Sequence, residues 1–447
     1  MKNTFTLTEE NLQEYSRLFN ADRGNLVAAN ASAKSGLAQA ATDFSAVSKQ
    51  PYTFSTDLKQ GSITDQKVSG RCWLFSALNT LRYEVIQKYN LEDFELSQNY
   101  LFFYDKLEKA NYFLGNALRT LDEPVDGRLY SFLNADPLGD GGQWDMVANL
   151  IRKYGVVPKD AYPDTQNSVS SRNFDMYLTS LLREYAIELR KKAKAGASDD
   201  ELTALREDMM KTVYRVLVIS LGEPPKTFDL TLTDKDGNVT QDFGLTGKTF
   251  FEKYVDFDLD SHISLINAPT PKKPFNKTYT VKFLGNVEEG APVKYLNLPI
   301  DVIKKAAVAQ LKDGHPVWFG SDCVKFASRD EAVFDRNACN VEQLLDIHYN
   351  FTKGERLDYG DSAMNHAMVF LGVNEDENGN PNRWRIENSW GKKAGAHDGY
   401  YIASDSWFDE FVYQVVVDKK YLEPEVAKLF DQEPIELEPW DPMGSLA

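Results

Sequence analysis

In the stretch Gln66-Lys67-Val68-Ser69-Gly70-Arg71-Cys72-Trp73, a side-chain amide stands just upstream of a thiol. An ionised thiol is a nucleophile, and an amide N–H can hold the oxyanion that forms when a thiolate attacks a carbonyl. Acyl transfer is the chemistry this pair can do. Beyond it, Leu74, Leu78, Leu81 and Val85 fall on one stripe of a helix, which puts Cys72 at the helix N-terminus. There the helix dipole and a nearby imidazolium are expected to lower the thiol from about 8.5 into the range of roughly 3.5 to 7.5. A solitary Cys is usually a buried, inert core residue. Gln66 and Trp73 beside it turn the reading toward a nucleophile.

Such a thiol needs a base, and the chain has five His: His262, His315, His348, His366 and His397. Only His366 begins a β run, Ala363 to Val373, whose small Ala neighbours leave room for an imidazole beside a cleft. The next strand ends in Ile386-Glu387-Asn388-Ser389-Trp390-Gly391. If the two strands are adjacent and antiparallel, Asn388 reaches the ring, fixes its tautomer and leaves the other nitrogen facing the thiol, while Trp390 screens that bond from water. Gln66 would donate to the oxyanion, with the Cys72 backbone N–H as second donor; losing one such donor costs roughly 2.7 to 4 kcal/mol. Gly141-Gly142 could offer bare backbone to an extended peptide, although a tight turn uses paired glycines equally well.

Other chemistries lack their residues. There is no H-E-x-x-H, paired C-x-x-C or G-x-S-x-G, and Gly247-Lys248-Thr249 has Asp242 where a phosphate loop needs its leading Gly. No metal and no cofactor is expected.

The elements that must position these residues belong to a chain of 447 residues, 42% hydrophobic and 26% charged, with 26 Phe, 22 Tyr and 7 Trp to fill an interior. A formal charge of −17 repels phosphate backbones and anionic membranes, so neither nucleic acid nor membrane is expected as a partner. The basic patch Arg190-Lys191-Lys192-Ala193-Lys194 reads as the cationic end of a helix. Three Cys without paired spacing, an N-terminal stretch Met1 to Glu10 without the apolar segment of a signal peptide, and no apolar run of about 18 residues lead to the expectation of a cytoplasmic protein.

Along the chain, residues 1–50 read as a helical arm with a capping box from Thr6 to Glu9. Residues 51–164 read as a helical lobe carrying the nucleophile. Residues 165–298 read as an insertion: two long helices, the second opened by Ser198-Asp199-Asp200-Glu201, then hairpins, one turning at Asp236-Gly237. Residues 299–430 read as a β-rich lobe bearing His366 and Asn388. Residues 431–447, rich in Pro, read as an extended tail whose Trp440, Met443 and Leu446 are apolar beyond the needs of a solvated end.

Gln66, Cys72-Trp73, Gly141-Gly142, His366 and Asn388-Ser389-Trp390-Gly391 occur in the order found in papain-like cysteine peptidases, which the chain resembles. Ser69 and Arg71 depart from the local signature C-G-[SA]-C-[WY], and His366 lies about twice as far from Cys72 as that signature implies. Both departures are similar to the bleomycin hydrolase and bacterial aminopeptidase C branch. So are Asp140 to Met146, Arg383 to Gly391, Trp407 to Glu410 and Trp440 to Gly444. The resemblance implies an α+β, papain-like two-lobe fold, a helical lobe plus a β-barrel-like lobe, with a large helix-and-hairpin insertion. It implies a cytoplasmic homohexamer acting on peptides with a free N-terminus through Cys72, His366, Asn388 and Gln66. It also implies a tail that enters the cleft, where the Ala447 carboxylate blocks further subsites and pairs with the substrate's α-ammonium, beside Gly141, Gly142 and Trp390. An endopeptidase of the same fold and a non-enzymatic peptide-binding protein are the alternatives.

Overall fold

The computed structural model describes residues 5–447; the first part of the Met1 to Glu10 reading therefore lies outside the described residues. The helix Cys72–Lys88 forms where expected and is buried nearly all round, with Leu74, Leu78, Leu81 and Val85 fully inaccessible. It contains neither Gly nor Pro, and Arg71 caps it without a side-chain hydrogen bond, so the first-turn amides are left unspent. Around it pack Gln98–Arg119, capped by Ser97, and Trp144–Tyr154, which follows the glycine turn. The helix Arg128–Ala135 was not anticipated.

The two long helices of the following segment are Arg172–Lys194 and Asp199–Leu221. The first ends in Lys191, Lys192 and Lys194, as the basic patch indicated, and the second opens on the Ser198/Glu201 capping box. Phe228–Thr233 and Val239–Leu245 then pair as an antiparallel hairpin around Asp236-Gly237. In the arm, the first helix is Glu9–Ala21 and its capping box is Thr8 with Asn11, not Thr6 with Glu9. Thr8 wins because its side chain reaches the Asn11 amide one turn ahead of a helix that starts at Glu9.

A twelve-stranded sheet forms the other half of the molecule. Its centre is His366–Glu375, antiparallel to Val317–Ser321 on one side and to Pro381–Glu387 on the other. Beyond Val317–Ser321 come Val412–Asp418 and then His262–Ile266, Tyr295–Asn297 and Lys277–Val281. Those last three strands correct the sequence reading: residues 262–298 are part of the main sheet and not of an inserted unit. Alternation identifies a strand, but its partner is set by packing far away in sequence. Eleven of the twelve strands follow one hydrogen-bonded path, and Thr56–Asp57 pairs off it with the central strand. Part of the tail joins the sheet, Ile435–Leu437 pairing parallel with Lys277–Val281. One apolar core surrounds the Cys72 helix and takes in Met443 and Leu446 of the tail; a second lies between the sheet and the helix Ile300–Lys312.

Candidate active site

Cys72 opens its helix at the seam between helices and sheet, 5% exposed, with its thiol beside the backbone N–H of Ala367. That places it next to the first residues of the central strand. Burial pushes the thiol up to about 11, against which the Ala367 and Trp73 amides pull weakly. Burial thus works against the lowering expected from the helix dipole and a nearby imidazolium. Removing water from around a thiolate costs more than one helix terminus returns.

His366 begins its strand and is equally buried. Its Nε2 lies 2.8 Å from Asn388 Oδ1. Asn388 Oδ1 also accepts from the Ser389 backbone N–H at 2.8 Å, so that atom is the amide oxygen and the proton sits on His366 Nε2. Nδ1 is thereby left as the basic nitrogen. Trp390 stacks on the imidazole with ring centroids 4.9 Å apart and planes 25° apart. Burial draws the imidazole down to about 4, opposed by its bond to Asn388. Burial thus disfavours the charged form of both side chains.

Gln66 reaches the same place by a backbone crossing between the halves of the molecule. Its N–H donates to the Ser389 carbonyl at 2.8 Å, and Gly391 N–H donates to the Thr64 carbonyl at 3.0 Å. The approach is so close that a Cβ on Gly391, whose φ is +79°, would come 2.4 Å from Asp65 Oδ2. Ser389 Oγ donates to Gln66 Oε1 at 2.6 Å and Gln66 Nε2 donates to the Ser69 carbonyl at 2.6 Å, leaving the second amide hydrogen. A buried ion pair makes a further tie: Arg82, on the Cys72 helix, meets Glu387 at 2.6 Å, and Glu387 immediately precedes Asn388.

Gly142 meets the chain's end, which is turned there and not extended as the sequence reading had it: Leu446 lies in the turn after the 3-10 helix Pro442–Gly444. Gly142 N–H donates to the Leu446 carbonyl at 2.9 Å, and a Cβ on Gly141 would stand 2.2 Å from that oxygen. The segment present is the chain's own tail. Gly142 also lies on the Trp73 indole, where a Cβ would approach to 2.6 Å. Ser445 Oγ donates to the Met364 carbonyl at 2.8 Å and Tyr295 Oη to the Met443 carbonyl at 3.0 Å. Further back, Asp441 pairs with the buried Lys273 at 2.7 Å, and the Arg128 guanidinium lies 3.8 Å over the Trp440 ring.

Sequence reasoning missed the charged frame behind this turn. Asp140 accepts from Gly70 N–H at 2.8 Å and from Ser171 Oγ at 2.5 Å, and its other oxygen lies 2.7 Å from Lys106. Lys106, fully buried, is shared with Asp175 at 2.7 Å. Lys109 donates to the Gly139 and Gly141 carbonyls at 2.7 and 2.5 Å. Burial would raise Asp140, but Lys106 outweighs it and holds the carboxyl well below its ordinary range. Under the Cys72 turn, the buried Arg71 meets Asp164 at 2.8 Å; Asp164, although buried, is held at about 2 by Arg71 and Lys159. The available signal was the run Asp105, Lys106, Glu108, Lys109 on the buried face of Gln98–Arg119, which in sequence reads as a solvated face.

Helices packed on a sheet, with a helix-borne thiol at their seam next to the strand that His366 opens, are the arrangement of a papain-like cysteine peptidase. The sequence matches the Peptidase C1-like family over residues 6–444, and the chain belongs to that family. It is 48% identical over 443 residues to aminopeptidase C of Listeria monocytogenes, covering 99% of each chain. To bleomycin hydrolase of Gallus gallus it is 43% identical over 392 residues, 86% of each. The crystal structure of PepW from Lactobacillus rhamnosis superposes with a TM-score of 0.97 at 45% identity, covering 99% of this chain and 100% of that one.

Proposed function

We propose that this cysteine aminopeptidase removes N-terminal residues from peptides by a Cys-His-Asn acyl-enzyme mechanism. Cys72 attacks the first peptide carbonyl as its proton passes to His366 Nδ1. Asn388 holds the ring through Nε2, and the free hydrogen of the Gln66 amide, with the Cys72 backbone N–H, receives the oxyanion. The imidazolium then protonates the departing amine, and water attacks the thioester under the same base.

The observation that supports the restriction to chain ends is the Gly142 to Leu446 hydrogen bond, by which the turned end of the tail takes the Gly142 N–H that a longer substrate would need. A peptide entering that side meets Leu446 and Ala447 after a single residue. The Ala447 carboxylate is then the counter-charge for an α-ammonium. Assembly into a homohexamer in the cytoplasm belongs to the same reading. It is supported by the apolar stripe Leu12, Tyr15 and Phe19 on a helix with no buried residue, a face a second copy would cover.

The test compares free-amine with amino-blocked peptides, in the full chain and in a chain ending at Asp441. The full chain should cleave only the former. Truncation should lower kcat/KM on free-amine peptides roughly tenfold, the value of one ion pair and one hydrogen bond, and admit blocked peptides. Unchanged selectivity after truncation would overturn the role of the tail.

A further inference from the structure

A cation without a counter-charge stands beside the indole that stacks on His366. Arg329 is exposed, in the loop between the short strands Ala327–Ser328 and Val333–Phe334. Its guanidinium lies 4.9 Å over the Trp390 ring, the same ring that stacks on His366 at 4.9 Å. Among the described residues its side chain makes no hydrogen bond and no ion pair, whereas Arg336 farther along is held by Glu342 and Glu410. Asp330 and Glu331 follow it in sequence, exposed and unpaired with it. The loop is fixed in place: Ala332 takes a φ of 54° and donates its N–H to the Arg329 carbonyl at 3.2 Å. Gly395 packs so tightly behind it that a Cβ there would come 3.0 Å from the same carbonyl.

Which part of a substrate meets this cation follows from the proton. The acyl residue lies toward Gly141-Gly142, where Leu446 already pairs. His366 must protonate the departing amine, so the departing segment passes His366 and runs over the Trp390 ring. When an aminopeptidase cuts a dipeptide or tripeptide, that segment is one or two residues long and ends in a carboxylate. We propose that Arg329 binds the C-terminal carboxylate of di- and tripeptide substrates on the leaving-group side of the cleft. Stacking on an indole fixes the guanidinium plane and leaves its N–H edge free for bidentate contact with a carboxylate. The cationic face also places the negative end of a short peptide away from the tail, so the two ends of the substrate are read by opposite walls.

The inference rests on the aminopeptidase reading above, and its test separates the two. Values of kcat/KM are measured for matched di- and tripeptides ending in a free carboxylate or a carboxamide. The free acid should be preferred by about fivefold at low ionic strength, the scale of one exposed charge pair, and the preference should fade as salt is raised. Arg329→Gln should bring the acid-to-amide ratio to about one, Arg329→Glu should carry it below one, and Arg329→Lys should retain part of it. A wild-type ratio of one at low salt, or an Arg329→Gln variant that slows acid and amide alike, would overturn the proposal. Failure of the wild type to cleave any free-amine peptide would overturn both readings.

Discussion

The two walls of the cleft are built from different materials. The wall behind Gly141-Gly142 presents backbone, and that backbone is immobilised from beneath: Lys109 holds two of its carbonyls, Trp73 Nε1 donates to the Asp140 carbonyl at 2.7 Å, and Asp140 rests on Lys106. The wall of His366 and Trp390 presents side chains, and its outer edge at Arg329 is open to solvent. A backbone wall can pair with any peptide regardless of sequence, but only if it does not move, and buried charge supplies that rigidity at a cost in desolvation. A side-chain wall can donate a proton and be tuned one residue at a time. Substitutions on the first wall should therefore register mainly in stability, and those on the second mainly in rate.

The largest effect should come from the reacting atom between the walls. Cys72→Ala should reduce turnover of free-amine peptides by roughly 10⁴-fold or more while circular dichroism and assembly size stay as in the wild type; residual turnover near wild type would remove Cys72 from the mechanism. Next is the frame of the backbone wall. Lys106→Met strands Asp140 and Asp175 as buried carboxylates without a cation and should cost about 3 to 5 kcal/mol, read as a lower denaturation midpoint at constant slope. If that variant lost rate but kept its stability, the division between the walls would be wrong.

A smaller effect lies in the acid range. Asp164 is held at about 2, below its unfolded value of about 3.9, so its contribution is complete above pH ~4 and disappears as pH falls through the folded value. Asp164→Asn should therefore be about 2 kcal/mol less stable than wild type at neutral pH, with the gap closing toward pH ~2. A gap that stayed constant across that window would mean that the Arg71 and Lys159 contacts do not set the shift.

The nucleophile helix, the strand of His366 and the position of Asn388 at the next strand's end were legible because each is a local pattern: one apolar stripe, one alternating run, one antiparallel neighbour. The Ser198/Glu201 capping box was legible for the same reason. Thr6 with Glu9 fits the capping-box pattern whereas Thr8 has Asn11 three residues on, so only the formed helix says which hydroxyl meets an amide. Residues 262–298 read in sequence as part of the 165–298 insertion because alternation carries no information about which sheet a strand joins. The Lys106 frame was invisible because a charged residue on a helix reads the same whether it faces water or a buried partner.

The sequence by itself determined which residues could react, their order, and the helix and strands that carry them, since these depend on side-chain chemistry and short-range periodicity. Only the tertiary structure decided how they stand. It placed Leu446 on Gly142 and Arg329 over Trp390, and it buried Cys72, which pushes the thiol up against the lowering expected from the helix dipole and an imidazolium. Desolvation and pairing over hundreds of residues are sums over everything that packs nearby, and no local stretch of sequence contains them.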